Sequence, residues 1–227
     1  MKYFGKFEKD ENSRVYRTRT FVCLDGSSQS IEPNVTEIIG TIFMLNPGSS
    51  RPLNSEPNSP FEGYAFNQYT DLETDETMNV FIDIFSKLQG NKKFTKGIVE
   101  IKNLFNYREG TLTNDDWKFI TDDIKKDINH LNINSSPTFY GEFIFFAWGT
   151  SKLINSEIKS YSQQIFNKSK KDNMNILYIS PKPEVESEKH LSFYHPLGGH
   201  WKADKRERFN NSIFETFNSL QAQINFE

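Results

Sequence analysis

The sequence predicts an α/β fold, a three-layer α/β/α sandwich with a mostly parallel four-stranded central sheet plus an N-terminal β-hairpin. Three observations predict it. Short, largely apolar runs recur at residues 37–45, 97–101, 142–147 and 175–179, the pattern of strands buried on both faces. Amphipathic helical stretches separate these runs, so strands and helices alternate. The first 35 residues instead alternate polar and apolar side chains, as a half-exposed ribbon does.

In chain order, Tyr3, Phe4 and Phe7, then Val15 to Cys23, form the expected hairpin. Glu37 to Leu45 is the first buried strand, and it stops at Asn46-Pro47-Gly48. Residues 49–73 hold Pro52, Pro57 and Pro60 among Ser, Asn and Glu, with Phe61, Tyr64, Phe66 and Tyr69 scattered through them. A loop of that length within a compact fold reads as a lid or binding loop, with disorder as the plain alternative. Thr74-Asp75-Glu76 opens a helix carrying Met78, Phe81, Ile82, Phe85 and Leu88, closed by Gly90. Gly97 to Ile101 is the second buried strand and leads into Lys102-Asn103-Leu104-Phe105. A helix is expected from Thr113 to Leu131, and a third strand at 142–147 ends in Trp148-Gly149. A helix over 151–168, a fourth strand at 175–179 and a helix over 204–223 complete the chain. No repeat or linker divides it, so residues 1–227 are expected to form one domain.

Composition narrows the chemistry. Lysine and arginine number 27 against 30 acidic residues, a net charge of −3, which excludes a protein coated in positive charge but leaves room for a local basic patch. Cys23 is the only cysteine; it excludes an intrachain disulfide framework, a cysteine-ligated zinc site and an iron–sulfur cluster. The histidines His130, His190, His195 and His200 form no HExxH motif or close His/carboxylate set, and no metal or cofactor is expected. The N-terminus lacks an apolar targeting core and no run of 18 apolar residues occurs, so a cytoplasmic protein without a membrane partner is expected. Aromatic residues make up 15% of the chain, 21 of them Phe, an excess to be shared between core and site.

Neither a GxGxxG, a P-loop nor a GxSxG elbow is present. Cys23 has no evident His partner nearby. Ligands of open parallel sheets bind beyond the carboxyl ends of the strands, and four segments sit there. They are Met44-Leu45-Asn46-Pro47-Gly48, Lys102-Asn103-Leu104-Phe105, Phe146-Ala147-Trp148-Gly149 and Tyr194-His195-Pro196-Leu197-Gly198-Gly199-His200-Trp201. A plain turn explains the first and a strand-to-helix glycine the third. Two histidines, two glycines and a tryptophan in one loop are harder to explain as a bare connection.

In that order the four segments resemble the uracil-DNA glycosylase superfamily. Its members carry a strand ending in a motif such as GINPG or GMNPG, a strand ending in Asn, a strand ending in LWG and an HPSP-like loop. The chain has MLNPG, IKNLF, FAWG and HPLGGHW. It looks closest to the mismatch-specific and single-strand-selective branches, and is also similar to an uncharacterised bacterial and phage family with LNPS and AWG motifs. The resemblance implies a monofunctional DNA glycosylase that flips a deaminated or modified pyrimidine, hydrolyses its N-glycosidic bond and leaves an abasic site. Asn46 would orient the attacking water and His195 would hydrogen-bond the departing base. Pro47, Gly48 and Trp148 would line the base site, Asn103 would read the base's polar edge, and Phe61, Tyr64 or Phe66 from the 49–73 active-site loop would stack on it. Arg51, His200, Trp201, Lys202, Lys205 and Arg206 would contact DNA.

The departures carry their own expectations. HPLGGHW lacks the serine of HPSP, so His200 or Trp201 would serve as the wedge in the vacated stack. Gly48 stands where uracil-restricted members place a bulky aromatic, leaving room for a large C5 substituent of the kind found in phage DNA, and hence for a role in antiviral defence. The first strand lacks the acidic residue of the fastest branch. Basic residues at 202–208 suit phosphates, although a solvated helical turn explains them equally. Two rival readings remain: a catalytically inactive nucleic-acid-binding protein of the same fold, and a hydrolase of free nucleosides or nucleotides. A monomer is favoured.

Overall fold

The structure is a computed structural model. It describes residues 1–27, 32–110, 113, 115–116, 120, 138–149, 156–179, 193, 195–196 and 203–223. Strands β1 (Lys2–Lys9) and β2 (Val15–Cys23) come first. A 3-10 turn at Val35–Glu37 then leads into β3 (Ile38–Met44). After β3 come β4 (Arg51–Pro52), β5 (Tyr69–Glu73), α1 (Glu76–Gly90) and β6 (Ile98–Asn103). β7 (Phe143–Phe146), α2 (Ser156–Lys171), β8 (Asn175–Tyr178) and α3 (Ala203–Gln223) follow.

The fold is α/β, but its sheet is larger than the sequence implies. It has eight strands in the order β4-β5-β1-β2-β6-β3-β7-β8. β6, β3, β7 and β8 run parallel to one another, while β2, β1, β5 and β4 add on in antiparallel fashion. The expected four-stranded, mostly parallel sheet is therefore corrected to a mixed eight-stranded one. The hairpin is no appendage, because Phe21, Val22 and Cys23 pair with Glu100, Val99 and Ile98. That pairing covers an edge of β6 that would otherwise present unpaired backbone groups. Residues 49–73 are likewise not all loop: Tyr69 to Asp71 pair with Phe4 to Lys6 on the outer edge of the hairpin. Most of the helix expected at 113–131, and the start of the one expected at 151, lie outside the described residues.

Local signals account for the helix nearest the site. The Asp75 side chain caps α1 by accepting a hydrogen bond from the Met78 N–H at 2.9 Å. Met78, Phe81, Ile84, Phe85 and Leu88 recur at helical spacing and are buried.

Alternation in the strands assigns the two faces of the sheet. Ile42, Met44, Phe143 and Phe145 pack with the apolar stripes of α1 and α3. Phe43, Ile144, Phe146 and Trp148 pack on the other side with Ile158, Tyr161, Ile165 and Phe166 of α2. Gly40 marks the tightest strand contact, since a Cβ there would meet the Phe143 ring at 2.2 Å. Much of the aromatic excess is core: the Phe217 ring lies 5.2–6.0 Å from those of Phe85, Phe94, Phe143 and Phe145.

From β3 the chain passes through α1 to β6 on one side, and from β7 through α2 to β8 on the other. The connections diverge between β3 and β7, which opens a crevice at their carboxyl ends.

Phe217 is fully buried and ties α3 to both the sheet and α1. Phe217→Ala should lower the unfolding free energy by about 3–5 kcal/mol, read as the midpoint shift in urea denaturation at unchanged slope. A shift worth under about 1 kcal/mol contradicts this account of the core.

Candidate functional site

A cavity of about 400 Å³ opens at that crevice. Its wall includes Asn46, Pro47 and Gly48 from the end of β3, Asp75 and Met78 from the start of α1, and Arg17 and His195. Asn46, Pro47, Gly48 and His195 are expected at the site from the sequence; Arg17 and Asp75 are not.

The loop after β3 is held from below. Pairing continues past β6, with Leu104 N–H donating to the Met44 carbonyl at 2.9 Å and Phe105 N–H to that of Leu45 at 3.2 Å. The Asn46 Nδ2 donates to the Glu109 carbonyl at 2.7 Å, which turns the amide and leaves Oδ1 as its acceptor. Arg108 donates through Nε to the Ser50 carbonyl at 2.6 Å and through Nη2 to that of Ser49. Gly48 adopts φ +66°, and a Cβ on it would sit 2.6 Å from Asp75 Oδ2. The absent side chain thus admits the Asp75 carboxylate. This corrects the expectation of open space beside Gly48, because Asp75 fills the position nearest its α-carbon.

His195, in the chain after β8, supplies the opposite wall and sits against the end of β7. Gly149 forms an antiparallel bridge with Phe193, and at φ +99° its α-carbon faces the His195 Cβ, 3.8 Å from where a Cβ would stand. His195 is partly buried. Burial pushes its imidazole down to about 4, against the opposing pull of Asp75, so it is neutral at pH 7 and offers one donor and one acceptor.

Arg17 reaches the cavity through a bulge. Lys6 pairs with Arg19 but Phe7 pairs with Arg17, so Thr18 is an extra residue on β2. Strict alternation puts Arg17 on the face of Arg19 and Phe21; the bulge turns it to the opposite face, that of Phe7 and α1. Arg17 is 3% exposed, and its Nε and Nη1 have no hydrogen-bond partner. Burial pushes the guanidinium down to about 10, partly offset by Asp75 and reinforced by Arg108, and it remains a cation at neutral pH. Behind it the Tyr3 hydroxyl donates to the Met78 carbonyl at 3.1 Å, and burial, with Asp75, raises that phenol well above its usual range.

Several expected residues stand elsewhere. Trp148 is 1% exposed within the α2-side cluster, its ring 4.7 Å from Phe146 and 5.3 Å from Phe193; alternation along β7 turns it away from the cavity. Asn103 does not line the cavity, and its Oδ1 is buried without a partner. Phe61, Tyr64 and Phe66 pack on one another, and the first two on Phe7, with Arg108 over the Phe61 ring at 5.2 Å. They form a partly exposed cluster outside the cavity wall. Arg51 is engaged by Glu73 at 2.6 Å. His200, Trp201 and Lys202, and the side chains of Lys205 and Arg206 in the first turns of α3, lie outside the described residues. Among the described residues no group of three or more His, Cys, Asp or Glu could hold a metal ion, and no helix is long and apolar enough to cross a membrane.

The lowered His195 value has a stability consequence. The unfolded chain binds a proton at this side chain near pH 6.5 while the folded chain resists until about 4. Its contribution is complete above pH 6.5 and is lost as pH falls toward 4. Thermal unfolding of the wild type should therefore fall over that window more steeply than that of His195→Gln. Parallel pH profiles for the two proteins contradict a buried neutral imidazole.

Compared with protein-family models, curated proteins and solved structures, the chain matches none.

Proposed function

We propose that the cavity hydrolyses an N-glycosidic bond, releasing a deaminated or modified pyrimidine base from DNA. The observation that carries this reading is the meeting of Asn46 and neutral His195 in one small cavity at the strand ends. Breaking the bond between the sugar C1′ and the base nitrogen places positive charge on the sugar and negative charge on the base. Asn46, with Nδ2 committed to the Glu109 carbonyl, offers Oδ1 to a water proton and so aims the water oxygen at C1′. His195 donates its N–H to an oxygen of the departing base, where a fixed neutral donor in a partly buried site stabilises the developing anion. A new C1′–O bond replaces the C1′–N bond, and the water's proton balances the charge of the released base. On this reading Asn46, Pro47 and Gly48, which line the cavity, stand beside the substrate, whereas Trp148 acts through packing. An antiviral role against phage DNA with bulky C5 groups needs the substituent to leave by a route other than past Gly48, where Asp75 stands.

A second reading, hydrolysis of the same bond in a free nucleoside, is favoured by one observation. Arg51, an expected DNA contact, is paired with Glu73. Base release should be measured from single- and double-stranded oligonucleotides carrying uracil, a thymine mismatch, 5-hydroxymethylcytosine or its glucosylated form, beside free deoxyuridine. The expected result is release from at least one oligonucleotide. Asn46→Ala should slow release about 100-fold while leaving oligonucleotide binding intact. Release from deoxyuridine alone selects the second reading, and no release from any substrate contradicts both.

A further inference from the structure

Arg17 is the feature of the cavity that the hydrolytic reading leaves unused. A buried guanidinium normally meets carboxylates or carbonyls on its own chain, because a charge without partners is costly to bury. Here Nε and Nη1 have none, and Asp75, whose charge acts on Arg17, forms no ion pair with it. Asp75 spends Oδ1 on the Met78 N–H and holds Oδ2 over Gly48. The cavity wall therefore carries a donor group and an acceptor group that are not joined to each other.

We infer that Arg17 and Asp75 form the ligand-reading pair of this cavity, Arg17 donating to a carbonyl oxygen and Asp75 accepting from the adjoining N–H of a nucleobase. The occupant so specified bears an O=C–N–H edge. The negative charge of an inorganic or sugar phosphate is repelled by Asp75 and Glu76, both on the cavity wall. A ligand with donors alone leaves the guanidinium unmet. The pair also takes over the base-reading role expected of Asn103, which stands outside the cavity wall. This inference rests on the base-releasing reading for its substrate class, and adds that charge developing on the read edge falls against a fixed cation.

The test is equilibrium binding, which needs no turnover. Calorimetric titration of the full chain with 1-methyluracil and with 1,3-dimethyluracil compares two probes that differ only at N3, an N–H in one and an N–methyl in the other. The wild type should bind 1-methyluracil at least about tenfold more tightly. Arg17→Gln should weaken 1-methyluracil by about tenfold to 100-fold, with Arg17→Lys intermediate. Asp75→Asn keeps a competent helix cap but turns an amide donor toward the cavity, and should remove the preference between the two probes. Thermal unfolding reports whether each variant is folded; should Arg17→Gln not fold, the wild-type probe comparison and Asp75→Asn still decide. Equal binding of the two probes overturns the inference. So does a folded Arg17→Gln that binds as the wild type does, inorganic phosphate bound in place of the base, or no binding of 1-methyluracil up to its solubility limit. Retained, pair-dependent binding without base release from any oligonucleotide or from deoxyuridine instead sinks the hydrolytic reading and leaves the pair standing.

Discussion

The parallel pairing of β3 with β6 on one edge and β7 on the other governs everything above the sheet. It sets the loop after β3 beside the chain after β6, where the Glu109 carbonyl turns the Asn46 amide, and it brings Gly149 against His195. Gly40 is part of the same constraint, because a side chain there would drive the Phe143 ring from its seat. The crevice is a product of backbone register. The residues around it act on geometry that the register has already fixed.

Charge is arranged in the cavity with similar economy. Four ionisable side chains line it: a buried arginine, a carboxylate committed at one oxygen only, Glu76 next to it in the first turn of α1, and an imidazole kept neutral by burial. An arginine and an aspartate in salt-bridge contact would satisfy each other and leave nothing for a ligand. Their separation leaves Arg17, on the cavity wall, with two donors that no group of the protein meets. Such a site favours an occupant with both an oxygen acceptor and an N–H donor over a simple anion.

Much of the fold is readable from the residues. The runs at 37–45, 142–147 and 175–179 each contain a strand, the run at 97–101 holds the first four residues of β6, and Asp75 to Gly90 forms a capped helix. The width of the sheet is not readable, because strand pairing between the hairpin and β6 depends on edges that the sequence does not mark. Asn46 and His195 stand out because an Asn-Pro-Gly strand end and a His-Pro loop are conspicuous. Arg17 does not: period-2 reading of Val15 to Cys23 puts it with Arg19, and only the bulge at Thr18 turns it around. Asp75 reads as a helix cap, which it is; its second oxygen becomes visible only when Gly48 is placed beneath it. Trp148 misleads in the opposite direction, since a strand-end motif says nothing about which face its side chain takes.

The central claim is that a flipped base occupies the cavity between Arg17, Asn46 and His195. A crystal structure with a uracil-containing oligonucleotide, whose 2′-fluorinated sugar resists hydrolysis, tests it most directly. The account predicts density for the uracil ring in that cavity, with a carbonyl oxygen toward Arg17 and the sugar C1′ facing Asn46 Oδ1. Uracil stacked on the Phe61–Tyr64–Phe66 cluster instead, with the cavity empty, contradicts it.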